Sequence, residues 1–179
     1  QNPSKSFATS RYRNSVLKAR EFMFGDIDKS LSLNNSKSGA PNFLLALGLC
    51  CYTEYWGKLV LGTKKGTSNS KCAFEEFLKR LDANYYGNLI KIAHPYEQIR
   101  CGLAHSYLIE SAGDATIHTG YEGLHGIDFD QKTQKYVFWV RTYFDEFKIA
   151  VNNYINGLES GKEDLSKLED CLNNRPELI

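Results

Sequence analysis

Apolar residues recur at intervals of three and four along 10–27, through Tyr12, Val16, Ala19, Met23 and Ile27. That is one stripe of an amphipathic helix. A polar Ser, Asn and Gly loop follows, and Pro41 opens a second helix whose sequence NFLLALGLCCYTEYWGKLVLG is apolar on nearly every side. Such a helix belongs at the centre of a bundle, and Gly62 is its stop. Beyond the connection GTKKGTSNS, Phe74, Phe77, Leu78 and Leu81 define a third helix capped by Ser70. A short fourth helix carries Tyr85, Leu89, Ile90 and Ala93 and ends at His94, because a proline disfavours helical geometry in the residue before it. Pro95 then restarts a helix that runs through Tyr96, Ile99 and Leu103 to about Ala104.

The period changes after that point. Tyr107 and Ile109, then Ala115, Ile117 and Thr119, alternate around the turn-forming SAGD, which predicts a β-hairpin. A second hairpin is predicted from Ile127 and Phe129, the turn QKTQ, and the β-branched and aromatic run Tyr136 to Val140. Helical spacing returns over 141–158 through Phe144, Phe147, Val151, Tyr154 and Leu158, and again over 162–173, with Gly157 and Gly161 separating the two. No repeat and no long linker divides the chain. The expected fold is mainly α: a single domain over 1–179, with a helical bundle over 10–105 and 141–173 and a small antiparallel β-hairpin insertion over about 106–140.

Composition narrows the function classes without choosing one. Of 179 residues, 42% are hydrophobic and 24% charged, which excludes collagen, coiled-coil rods and long disordered tails. With 22 basic and 21 acidic side chains the net charge is +1, so any charge-driven partner must be read locally. Glu54 and Lys58 interrupt the most apolar stretch, 43–61, which therefore reads as a buried helix and not as a membrane span. The first 20 residues hold no apolar signal core. Cys50, Cys51, Cys72, Cys101 and Cys171 show no C-x-x-C spacing and read as reduced, buried thiols, which suggests the cytoplasm.

One constellation carries chemistry. In PYEQIRCGLAHSYLIE, Arg100 precedes His105 by five residues where helix gives way to strand. Guanidinium is a permanent forked donor suited to a phosphate that gains charge, and imidazole exchanges a proton near neutral pH. On an ideal helix five steps turn about 140° and rise about 7.5 Å, so convergence of the two requires a helix end; Gly102 weakens the helix between them. Glu54, an ionisable group in an apolar helix, requires a partner: Lys58 one turn on, or Arg100, which it would then orient. The basic first helix, with Arg11, Arg13, Lys18 and Arg20, is the candidate phosphate-tracking surface for nucleic acid. His118 and His125 stand near Asp128 and Asp130 without a recognisable ligand spacing, so they read as separate surface imidazoles, and neither a metal nor another cofactor is expected. Neither phosphate-loop fingerprint is present.

Arg100 and His105 resemble the R-x4-6-H motif of the HEPN family (higher eukaryotes and prokaryotes nucleotide-binding), and the mainly helical surroundings are similar as well. The resemblance implies a four- or five-helix bundle, a homodimer that brings two motifs together, and a metal-independent endoribonuclease of a bacterial defence or toxin type, with RNA as substrate and an antitoxin or other protein as partner. Cys101 stands where the family often has a polar residue after the arginine. The rival reading is a noncatalytic helical binding or dimerisation module of unknown partner.

Overall fold

The computed structural model describes residues 6–33, 42–62, 69–106 and 115–174, the side chains of residues 105 and 106 excepted. After a 3-10 turn at Phe7–Thr9 come α1 (Arg13–Ser32), α2 (Asn42–Leu61), α3 (Ser70–Leu81) and α4 (Ala83–Ala93). A π-helical turn, Tyr96–Cys101, leads into the short α5 (Gly102–Ser106). Strands β1 (Ala115–His118), β2 (Ile127–Asp130) and β3 (Lys135–Trp139) precede α6 (Val140–Glu159) and α7 (Leu165–Asn174). The protein is mainly helical with one small three-stranded sheet.

Helix α2 lies at the centre, as its all-round apolar sequence requires, and buries Leu45, Leu49, Trp56, Leu59 and Val60. Trp56 stacks on Phe77 of α3 at 6.3 Å and meets Tyr154 of α6 edge-on at 6.2 Å. Each fully buried side chain of this size contributes about 1.5–3 kcal/mol. The one hydroxyl deep in α2, on Thr53, donates to the Leu49 carbonyl at 2.8 Å and accepts from the Tyr143 hydroxyl at 2.8 Å. It is satisfied without water. Helices α2 and α3 cross backbone to backbone at Gly57, where a Cβ would lie 1.8 Å from the carbonyl oxygen of Ala73. Only glycine fits there.

The ends of the elements show where sequence signals succeed and where they slip. Gly62 and Gly161 end their helices in the left-handed region at φ 69° and 72°. Gly157, expected to separate the last two helices, is instead inside α6, where it makes room for the side chain of Glu163. Asn69, not Ser70, caps α3 by accepting from the Cys72 amide, and Ser70 becomes the first helical residue. The first helix starts and ends later than its stripe suggested, at Arg13 and Ser32. Asp82 caps α4, and His94 closes it in the left-handed region at φ 49°. A side chain with a Cβ is strained in that conformation, so His94→Gly is expected to raise the unfolding free energy by about 1 kcal/mol in urea titrations.

The β region departs from two antiparallel hairpins. The β2–β3 hairpin forms with Phe129 opposite Tyr136, but β1 pairs with the other side of β3 in parallel, giving the order β1-β3-β2. The other half of the first expected hairpin lies outside the described residues. Alternation in a sequence reports which face a strand buries, not which neighbour it pairs with. The segment between β1 and β2 is pinned at Gly126, whose amide donates to the Tyr86 hydroxyl at 3.0 Å and to Glu146 at 3.1 Å. A helix side chain also reaches each outer strand: Asn42 donates to the Ile117 carbonyl of β1, and the Tyr85 hydroxyl donates to the Ile127 carbonyl of β2.

Among the described residues no helix is long and apolar enough to cross a membrane. None of the five cysteines is in a disulfide, and only Cys50 and Cys171 are buried; Cys51 and Cys72 are exposed, on the outward faces of α2 and α3.

Candidate active site around Arg100

Glu54 is the anchor. It sits in the fourth turn of α2, 5% exposed, where an ionised carboxylate without partners would be strongly unfavourable. Both partners considered from the sequence are used at once. Lys58, one turn along α2, donates to Oε1 at 2.6 Å, and Arg100 Nη2 lies 2.8 Å from Oε2. The Ser70 side chain, at the start of α3, also lies close to the carboxylate. Burial alone would push the Glu54 carboxyl up; the Lys58 hydrogen bond, the nearby Ser70 hydroxyl and the Lys58 and Arg100 charges outweigh it and hold the group below its ordinary value.

Arg100 occupies the π-helical turn, a wider form of helix that appears mostly as a single turn and often at functional sites. Its side chain is 22% exposed and its guanidinium lies 5.7 Å from the ring centroid of Tyr96, one turn earlier. Partial burial works against the cation, but Glu54 beside it more than compensates and raises Arg100 above its ordinary value. Glu97, three residues before Arg100 on the same turn, pairs elsewhere, 2.6 Å from Lys71 of α3. Two permanent cations thus share one buried carboxylate, leaving a net positive charge beside solvent. That balance favours an anion with several oxygens, and both cations retain unused N–H donors.

His105 lies on α5, which continues the helical run that carries Arg100, but its side chain is outside the described residues. Lys58, Ser70 and Tyr96 were not singled out as site residues from the sequence. Lys58 was visible only as a helix-pairing partner, and Tyr96 only as part of an apolar stripe, although its spacing of four from Arg100 is a legible stacking signal.

The basic residues near the N-terminus are placed less favourably for nucleic acid. Arg11 is engaged by the Tyr12 hydroxyl at 2.7 Å and by Asn173. Arg13 pairs with Glu159 at 3.3 Å and Arg20 with Glu21 at 3.6 Å, while Lys18 is exposed on α1. The two histidines of the β region are separate, His118 exposed on β1 and His125 half-buried. His118 stacks on Trp139 with 4.7 Å between centroids. His125 stacks on Tyr85 at 3.6 Å and places Nδ1 3.4 Å from Glu146. Asp128 accepts from Trp139 Nε1 at 2.8 Å, and no group of three metal-ligating side chains converges among the described residues.

No protein-family model, curated protein or solved structure matches this chain.

Proposed function

We propose that the chain is a HEPN-like endoribonuclease, acting in the cytoplasm as a homodimer without a metal, in a bacterial defence or toxin setting where an antitoxin would restrain it. The observation that supports this most is Arg100: a guanidinium pinned by a buried carboxylate, still open to solvent, on the same helical run as His105. In this reading His105 takes the proton of the attacking 2′-hydroxyl or gives one to the leaving 5′-oxygen. Arg100, helped by Lys58, neutralises the charge that grows on the phosphorane oxygens, and Glu54 keeps the guanidinium in place. The products are a 2′,3′-cyclic phosphate and a free 5′-hydroxyl. Lys18 of α1 and the neighbouring Arg20 would add a salt-sensitive contact to the RNA backbone, with Arg11 and Arg13 following only if they release their present partners.

The test is cleavage of mixed RNAs in EDTA by the parent, Arg100→Ala and His105→Ala, with circular dichroism as the folding control. Each variant is expected to lose at least about 100-fold in rate while remaining folded. A pure parent that cleaves none of the RNAs would overturn the enzyme reading and favour a binding module, in which the Glu54 triad simply clamps α2 to the π-helical turn.

A further inference from the structure

Arg100 is held from a second side that the proposed chemistry does not use. Tyr96, four residues earlier on the widened turn, lies under the guanidinium, 5.7 Å from ring centroid to Cζ. The ring cannot drift, because it packs against Phe74 of α3 at 5.6 Å. Ser70, at the start of the same helix, lies close enough to both Tyr96 and Glu54 to bear on the electrostatics of each. The contacts run from Glu54 to Arg100, to Tyr96 and on to Phe74, tying α2, the π-helical turn and α3 together around one cation.

We propose that Tyr96 is a positioning residue for Arg100: its ring, braced by Phe74, sets the direction from which the guanidinium meets a phosphate. This rests on the endoribonuclease reading for its consequence in rate, but not for its consequence in geometry. A carboxylate contact at a single oxygen leaves a guanidinium free to swing about that contact. A ring face beneath it removes that freedom, and the electrostatic attraction of a cation to the ring holds the plane. The arrangement fits an acceptor whose charge grows during reaction, where small errors in donor placement are costly.

The experiment follows both consequences in Tyr96→Phe, Tyr96→Leu and Ser70→Ala, with Ser70→Thr as the hydroxyl-restoring variant. The geometric readout is the Arg100 Nε–Hε resonance in nitrogen-15 spectra, assigned by its disappearance in Arg100→Lys. The parent and Ser70→Thr are expected to show a sharp, dispersed peak, Tyr96→Phe and Ser70→Ala a shifted one, and Tyr96→Leu a peak broadened or moved to the solvent-exposed position. In cleavage assays Tyr96→Leu is expected to lose about tenfold in kcat with KM nearly unchanged, within the range of a partly desolvated cation–π contact. Ser70→Ala and Tyr96→Phe should each cost no more than a few-fold, since the ring face stays beneath the guanidinium in both. An unmoved Arg100 resonance in both Tyr96→Leu and Ser70→Ala overturns the proposal. If Tyr96→Leu does not fold, Tyr96→Phe and Ser70→Ala decide it by the same resonance. A parent without RNA cleavage overturns the enzyme reading alone, because the spectrum still reports whether Tyr96 sets the guanidinium.

Discussion

Gly57→Ala is expected to lower stability by about 3 kcal/mol or more, at or beyond the upper end of overpacking costs. The reason is the absence of anything that can give way. The added Cβ would sit 1.8 Å from a backbone oxygen and 2.4 Å from the carbonyl carbon of Ala73, so one helix must move as a body. For a chain of this size that corresponds to a fall of roughly 10 °C in Tm, read by thermal or urea denaturation. Gly87→Ala is the matched control, since a Cβ at that position on α4 meets nothing within 4 Å. There the gain in helix propensity should raise stability by about 0.5–1 kcal/mol. Equal losses in the two variants would refute the close crossing of α2 and α3. The crossing also matters for chemistry, because it brings Ser70 of α3 to Glu54 of α2.

Glu54→Ala should be the second severe substitution, at about 3–5 kcal/mol, because it strands two partly buried cations that now share one carboxylate. Neutralising Lys58 and Arg100 as well should recover much of the loss, since an apolar replacement of a whole buried ion cluster is often close to neutral. The pH dependence has a definite sign. The folded-state pKa of Glu54 is depressed, so its contribution is present above the unfolded value of about 4.3 and is lost as pH falls through the lower folded value. Denaturant midpoints measured from pH 7 down to pH 3 should therefore fall more steeply for the parent than for Glu54→Gln. Parallel curves would contradict the ionised, doubly paired state of this carboxylate.

Much of this arrangement could be read from residue order, and the part that could not has a common cause. Helix α2 was legible because its composition is apolar on all sides, and Glu54 stood out because it is not. The choice between Lys58 and Arg100 as its partner could not be made at that level: one is four residues away and the other 46, and helical spacing speaks only to the first. The structure uses both, which a pairwise question does not anticipate. The π-helical turn at Tyr96–Cys101 has no local signature comparable to a proline or a glycine stop; Pro95 predicts a helical restart but not its pitch. The same limit explains the sheet. Residues 127–139 announce a hairpin because its turn is local, whereas the parallel pairing of β1 with β3 joins Ala115 to Tyr136 across a segment whose path is set by contacts to Tyr86 and Glu146.

The hydrogen bonds from Asn42 and Tyr85 to the two flanking strands bear on how copies of this chain meet in a crowded solution. Unclaimed main-chain groups along a rim invite extended peptides to add on, and that is a common route to fibrous assembly. Here a carbonyl on each rim is already spoken for by a side chain anchored in the helical body, so stacking strand upon strand would first require those anchors to let go. Self-association is thereby steered toward the helical surfaces, where shape and charge can be selective.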